Sequence, residues 1–241
     1  MSYLADSQHP IEPAVARGAA VYGRAALAAY DAFVVGFSNT FAWKCPSPVL
    51  LEFYNQNVSR EHLDVGVGTG YFLDKCRFPT PSPNITLVDL NPNCLRVAAK
   101  RLRRNHPGYD LAGCHLANVL EPVELGAAKF GSIAINYLLH CLPGSMTGAV
   151  GADNKGVVFA NLKRCLQSGG VLFGATIVGA GVEHGFLARR LMDVYNAKGV
   201  FSNTSDSVAG LGAELQKHFE ESSVQLLGSV ALFSAQGARP A

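Results

Sequence analysis

From residue 61 onward, two patterns of apolar and polar positions alternate along the chain. Nearly continuous apolar runs such as ITLVDL, FGSIAIN and GVLFGATIV are typical of strands buried on both faces, whereas the intervening segments are polar and helix-forming. The pattern predicts strands at 61–65, 84–89, 111–116, 130–136, 170–177 and 224–234. It predicts helices at 48–57, 70–77, 92–105, 154–167, 183–198 and 206–220. This alternation favours a parallel sheet with helices on both faces.

The N-terminal part of the chain follows a different pattern. Residues 1–13 are polar with two prolines and are expected to form a loosely held tail. Residues 14–35 are alanine-rich and predicted to be helical, and Ser47 is placed to cap the next helix. We therefore expect a tail and helical cap over residues 1–47 and a core over residues 48–241.

The composition is that of a folded globular protein. Of the 241 residues, 49% are hydrophobic and 16% are charged, and the formal net charge is only +2. The chain does not begin like a signal peptide, and its apolar stretches are too short to span a bilayer. Six widely spaced cysteines, without a C-x-x-C pair, indicate thiols in a reducing cytoplasm rather than a zinc site. We expect a cytoplasmic protein that binds neither metal nor membrane.

One short stretch, HLDVGVGTG, carries the strongest chemical signal in the sequence. It ends a predicted strand near Asp64 and then places three glycines before a helix, at Gly66, Gly68 and Gly70. Glycines allow a tight turn and a close approach of the backbone to a ligand. A dinucleotide-binding loop requires Gly or Ala where this chain has the much larger Tyr71. Asp64 also suits a ligand with an ammonium group better than a pyrophosphate, which it would repel.

A second acidic residue, Asp89, ends the next predicted strand, 25 positions after Asp64. A carboxylate at this place can accept hydrogen bonds from both hydroxyls of a ribose. Dinucleotide enzymes use the same geometry, so Asp89 alone does not decide between cofactors. The alternative is that Asp89 only caps the helix beginning at Pro92, a role that Asn91 can also fill.

The pattern D-x-G-x-G-x-G resembles motif I of the class I S-adenosylmethionine (SAM)-dependent methyltransferases. The resemblance extends over residues 48–241 and includes the stretch SVALFSAQ, which suits the antiparallel strand of that fold. It implies a Rossmann-like α/β fold with a mostly parallel seven-stranded sheet, helices on both faces and, in this chain, an N-terminal helical cap. It also implies SAM as the methyl donor and S-adenosylhomocysteine (SAH) as the product.

The resemblance also implies roles for individual residues. Asn118 stands where the family usually has an Asp that bonds the adenine amine, and its amide oxygen can accept the same hydrogen bond. Asn136 ends the fourth strand, which in this family lies beside the sulfonium and the acceptor. By motif, only Asp64, Gly66, Gly68, Gly70, Asp89 and, with a change, Asn118 carry over from the family. The expected cofactor-binding residues also include Leu90, Val119, Asn136, Tyr137 and Tyr22.

His140 is the predicted general base, because a histidine near that strand has a pKa close to working pH. The alternative is a hydrogen-bonded structural histidine.

The following glycine-rich loop, 144–154, is either a mobile lid or a tolerated insertion. The segment before the core is rich in aromatic residues, among them Tyr22, Tyr30 and Trp43. Their ring faces suit a cationic sulfonium, although the same residues could simply pack the cap onto the sheet. The expected acceptor-binding residues are Tyr30, Trp43, His184 and Tyr195.

The sequence disfavours nucleic acid as the acceptor. The basic run Lys100–Arg104 ends a predicted helix, where cations complement the helix dipole, and no stacking aromatics surround it. We predict a metal-independent enzyme that transfers a methyl group from SAM to a small molecule such as a specialised metabolite. Transfer would depend on proximity, with His140 as base for a hydroxyl acceptor. The alternatives are a SAM-binding cyclase or sensor and, less favoured, an NAD-type oxidoreductase.

Overall fold

A computed structural model describes residues 38–127, 129–146 and 154–240 of the chain. Seven strands follow one another as β1 Glu61–Val65, β2 Asn84–Asp89, β3 Asp110–Leu116, β4 Phe130–Asn136, β5 Leu166–Ile177, β6 Phe219–Leu227 and β7 Val230–Ala238. The α-helices in the same ranges are α1 Ser47–Asn57, α2 Tyr71–Lys75, α3 Pro92–Asn105, α4 Val157–Lys163, α5 Phe186–Ala197 and α6 Val208–His218.

The strands form one sheet in the order β3-β2-β1-β4-β5-β7-β6. The first five strands in this order are parallel, and β7 pairs antiparallel with both β5 and β6. The direction of the strand order reverses between β1 and β4, which is where open α/β sheets bind ligands. The expected Rossmann-like, mostly parallel seven-stranded sheet is confirmed.

The strand predicted at 224–234 is wrong as a single strand. The chain turns back at Gly228, which has a φ of +59°, and so forms the β6–β7 hairpin. A Cβ at Gly228 would lie 2.2 Å from the carbonyl oxygen of Trp43, so a larger residue does not fit there. The apolar stretch 229–236 belongs mainly to β7, which is antiparallel as expected.

Each face of the sheet has its own hydrophobic core. On one face, Leu63 of β1 packs in a cluster with Leu215 of α6. On the other, Leu87 of β2 joins Ala98 of α3 and Tyr54 of α1. Burying a large apolar side chain contributes about 1.5–3 kcal/mol, so these two layers hold the strand ends in a fixed arrangement.

The first 37 residues lie outside the described part of the chain. The predicted tail, the helix at 14–35, Tyr22 and Tyr30 fall there, as do residues 147–153 of the glycine-rich loop. The division into a cap and a core at residue 47 stays a prediction. In the described ranges, no helix is long and apolar enough to cross a membrane.

Candidate active site

A cavity opens at the carboxyl ends of β1 to β4, where the strand order reverses. Ten of the predicted cofactor residues line it: Asp64, Gly66, Gly68, Gly70, Asp89, Leu90, Asn118, Val119, Asn136 and Tyr137. The eleventh, Tyr22, lies outside the described residues. The sheet therefore brings together residues that are up to 73 positions apart in the sequence.

The three glycines between β1 and α2 all have positive φ, at +71°, +54° and +72°. At Gly66, a Cβ would lie 3.0 Å from the side chain of Leu138, and at Gly70 it would lie 3.0 Å from Ala98 of α3. At Gly68, a Cβ would meet nothing within 4 Å. Gly66 and Gly70 thus let the loop pack closely against its neighbours, whereas Gly68 presents its backbone to open space.

Asp64 is the last residue but one of β1 and lines the cavity, and it is only 7% exposed. The hydroxyl of Tyr54, on α1, donates a hydrogen bond of 2.7 Å to Oδ2 of Asp64. A buried carboxylate oxygen needs such a hydrogen-bond donor to replace the water it has lost. Tyr54 is a site residue that the sequence analysis missed.

Asp89 accepts two backbone hydrogen bonds at the end of β2. Gly68 N–H donates to Oδ2 at 3.2 Å and Asn91 N–H donates to Oδ1 at 2.8 Å. Burial raises the pKa of Asp89 to about 6, although these two donors act in the opposite direction. Asn91 caps α3 through a bond from Asn93 N–H, so the alternative role of helix cap belongs to Asn91.

The side chain of Asn118 is held in a fixed orientation at the end of β3. Its Oδ1 accepts from Leu120 N–H at 3.1 Å, and its Nδ2 donates to Oε1 of Glu121 at 3.2 Å. A carbonyl oxygen has two lone pairs, so Oδ1 retains capacity for a further donor. The position is compatible with adenine recognition.

The end of β4 carries two features that point to a ligand. Nδ2 of Asn136 is buried and has no hydrogen-bond partner in the ranges that the structure describes. The next residue, Tyr137, has a φ of +55°, a conformation that costs about 1–3 kcal/mol outside glycine and that clusters at functional sites. Asn39, which is 1% exposed, also lines the cavity and was missed; its Oδ1 likewise has no partner among the described residues.

His140 lies behind the cavity wall, in the short 3₁₀ turn Leu139–Cys141, and is 3% exposed. Its Nδ1 accepts from Ile177 N–H at 3.4 Å and lies 3.4 Å from Oγ1 of Thr176. Burial, assisted by the nearby charge of Lys155, lowers the pKa of His140 to about 3. The imidazole is therefore neutral over the physiological range, and its neighbours Cys141 and Leu142 line the cavity in its place.

The other predicted acceptor residues in the described ranges also lie away from the cavity wall. Trp43 and Tyr195 pack on Phe201, with ring centroids 6.0 Å and 4.8 Å apart respectively. Phe201 in turn contacts His140 edge to face at 4.5 Å. His184 bonds Ser229 Oγ at 2.9 Å, which ties it to the β6–β7 turn. Their roles toward an acceptor stay predictions.

The cavity fits SAM on the chemistry of its walls. Asp64 and Asp89 offer carboxylates to an ammonium group and to ribose hydroxyls, and the buried Nδ2 of Asn136 requires an acceptor. Gly68 allows the ligand to approach the backbone. No cluster of three or more His, Cys, Asp or Glu side chains suited to a metal ion occurs in residues 38–127, 129–146 and 154–240.

Comparison with known proteins agrees with this reading of the cavity. Residues 63–172 match the family described as methyltransferase domain. Methyltransferase ctvB of Aspergillus terreus is 40% identical over 215 residues, which cover 87% of this chain and 90% of that protein. Demethylluteothin O-methyltransferase of Streptomyces thioluteus is 36% identical over 229 residues, 95% of each chain. The solved structure of the DhpI–SAH complex has a TM-score of 0.65 at 13% identity, covering 96% of this chain and 100% of that one, and shares its fold.

Proposed function

The chain belongs to the SAM-dependent methyltransferases, and from this premise we propose that it methylates a hydroxyl oxygen of a small molecule. The observation that carries the proposal is the joint position of Asp64, Asp89 and Asn136 on one cavity at the carboxyl edge of the sheet. The choice of oxygen as the methylated atom is supported by a relative that is named an O-methyltransferase and that matches this chain over 95% of its own length. The NAD-type alternative is set aside by the family assignment.

We propose the following division of roles among the wall residues. Asp89 accepts the ribose hydroxyls, Asp64 pairs with the ammonium group of the methionine part, and Asn118 accepts from the adenine amine. SAM, when bound, supplies a methyl group on a positively charged sulfur, which a nucleophile can displace in line. Because that methyl group is already activated, the contribution of the protein is mainly to hold donor and acceptor in the reacting geometry.

The acceptor side of the cavity is apolar apart from a few polar atoms. Leu138, Cys141 and Leu142 follow Tyr137 along the wall, and Asn39 adds an unpaired amide oxygen within the described ranges. An apolar wall with a small number of placed polar groups is typical of sites for small molecules. It supports a compact small-molecule acceptor rather than a charged polymer.

His140 enters this proposal with a limited role. A hydroxyl acceptor loses a proton when it is methylated, and His140 is the base that the sequence predicts. Its neutral imidazole can accept a proton, but the lowered pKa makes it a weak base. We infer that proximity supplies most of the rate, with His140 positioning the turn that carries Cys141 and Leu142.

The cytoplasmic location expected from the sequence also stays a proposal. It is supported by the six cysteines, all of which are free thiols.

The test of the proposed function uses isotopically labelled SAM. The protein is first titrated with SAH and with NAD by calorimetry, and we expect binding of SAH alone. It is then incubated with SAM carrying a ¹³C-methyl group and a panel of phenolic and enolic small molecules, and products are analysed by NMR. A labelled methoxy carbon supports the proposal. Label on nitrogen or carbon, or consumption of SAM without methyl transfer, contradicts it, and Asp89→Ala serves as the cofactor-binding control.

A further inference from the structure

A chain of buried hydrogen bonds leads from the cavity to the far end of β1. Tyr54 donates to Oδ2 of Asp64 at 2.7 Å, and its hydroxyl also lies 2.7 Å from Nε2 of His62. Nδ1 of His62 lies 2.7 Å from Oγ of Ser132, which accepts from Ser59 N–H at 2.8 Å. Tyr54, His62 and Ser132 are each no more than 1% exposed.

The positions of the protons in this chain follow from counting donors. Tyr54 has one hydroxyl proton, and the bond to Asp64 uses it, so Nε2 of His62 must donate to the phenol oxygen. Nδ1 of His62 bonds Oγ of Ser132, which also lies 2.9 Å from Oγ of Ser59. The donors at Nε2 of His62 and at the Tyr54 hydroxyl therefore both point toward Asp64.

Such an arrangement stabilises a negative charge at its end. Bonds aligned in one direction polarise one another, and the last of them reaches Oδ2 of Asp64. Burial, followed by the charge of Asp64, raises the pKa of Tyr54 well above its usual value, so the phenol remains a donor at every working pH. Nε2 of His62 lies 3.8 Å from Oδ2 of Asp64, beyond hydrogen-bond reach, so Tyr54 is the necessary link.

The same geometry selects which oxygen of Asp64 a ligand meets. Tyr54 and His62 both approach Oδ2, on the side of α1 and the buried interior. Asp64 also lines the cavity, so Oδ1 is the oxygen left for a ligand. Tyr54 is itself clamped by Phe72, stacked at 5.9 Å, and by Phe173, edge-on at 5.1 Å.

We propose that Tyr54 and His62 are positioning residues that hold the Asp64 carboxylate oriented for the ammonium group of SAM. This inference rests on the proposed function, in which Asp64 pairs with that group. Binding of the amino-acid end of the cofactor then depends on a chain of buried hydrogen bonds formed by residues of α1, β1 and β4. The glycines of the motif contribute no residue to this chain.

The test compares two ligands that differ only in the part that Asp64 would bind. SAH carries the amino-acid group, whereas 5′-methylthioadenosine retains the adenosine and the sulfur but lacks it. Calorimetric titration of Tyr54→Phe should show the affinity for SAH reduced by about tenfold, the scale of one hydrogen bond to a charged group. The affinity for methylthioadenosine should change by less than about twofold on the same scale. Tyr109→Phe, which removes a hydroxyl from a tyrosine stacked on His106 outside the cavity, should change neither affinity.

Variants of His62 give an independent arm. His62→Gln retains an N–H for Tyr54 and an oxygen for Ser132, and it should bind SAH nearly as well as the wild type. His62→Leu removes both and should lose SAH affinity selectively. A loss shared equally by both ligands in Tyr54→Phe and His62→Leu, or no loss for SAH, overturns the inference. Failure of the wild type itself to bind SAH would instead refute the proposed function.

Discussion

Lys155 and Asp206 form a buried ion pair, with Nζ and Oδ2 2.7 Å apart and both side chains almost fully shielded from solvent. Nζ also donates to the carbonyl oxygens of Leu139, at 3.3 Å, and Ser202. One ammonium group thus joins the turn that carries His140 to the loop preceding α6. Burial lowers the pKa of Lys155 and raises that of Asp206, while their mutual attraction opposes both shifts.

Removal of Lys155 should therefore destabilise the fold strongly. Lys155→Met leaves the Asp206 carboxylate buried without its counter-charge, and we expect a loss of about 3–5 kcal/mol in the free energy of unfolding, measured with urea. The double variant Lys155→Met/Asp206→Leu should recover most of that loss, because no buried charge remains. A double variant as unstable as the single one would contradict this account.

The carboxylate of Asp89 should account for a measurable part of SAM affinity. If it accepts both ribose hydroxyls, Asp89→Ala should weaken SAH binding by about 2–3 kcal/mol in calorimetry. Methylthioadenosine has the same ribose, so it should lose affinity equally, unlike the pattern expected for Tyr54→Phe. An unchanged affinity would remove Asp89 from the binding site.

The affinity for SAH should also depend on pH through Asp89. Burial raises the pKa of Asp89 to about 6, and the ribose hydroxyls donate to the ionised form. Affinity should therefore increase as pH rises through about 6 and level off above it. The asparagine side chain of Asp89→Asn cannot titrate. The SAH affinity of this variant should therefore not rise between pH 5 and pH 7, a window of about one pH unit on either side of the pKa of Asp89.

His140 should influence stability more than turnover. Its folded pKa of about 3 lies below the usual value of 6.5, so the unfolded chain binds the proton more tightly between these limits. The stability contributed is present above pH 6.5 and is lost as pH falls toward 3. His140→Gln should show a shallower decline of unfolding free energy over this range.

The turnover of the same variant separates the two roles of His140. Because the imidazole of His140 is only weakly basic, we expect His140→Gln to keep turnover within about tenfold of the wild type. Plots of turnover against pH should show no inflection near 6.5 for the wild type or for the variant. A loss of about 10²- to 10⁴-fold at unchanged SAH affinity would instead support the general-base role.

Two glycines of the loop after β1 should differ in their tolerance of alanine. Both have positive φ, but a Cβ at Gly68 meets open space, whereas one at Gly70 meets the backbone and side chain of Ala98 at 3.0–3.1 Å. Gly68→Ala should cost about 1–2 kcal/mol of stability from backbone strain alone. Gly70→Ala should cost more, and equal thermal unfolding of the two variants would contradict the packing argument.

Much of the fold could be predicted because its strands are buried on both faces. Apolar runs with turn residues at each end predicted the bounds of β1, β2 and β4 as the structure has them, and the polar, helix-forming pattern between strands predicted those of α3. The hairpin of β6 and β7 was read as one strand, since β6 is mostly exposed and its polar residues masked the pairing. Its turn depends on Gly228 meeting Trp43, a contact between distant parts of the chain.

The sequence by itself determined which strand-end residues line the cavity, because strand ends and glycines are local features and parallel strands place their carboxyl ends together. It could not determine which side chains stand behind that wall. Tyr54 meets Asp64 only because α1 packs on the sheet, and His62 meets Ser132 only through the β1–β4 register. His140 is neutral and buried for the same reason: its pKa is set by desolvation, which depends on packing that no local pattern encodes.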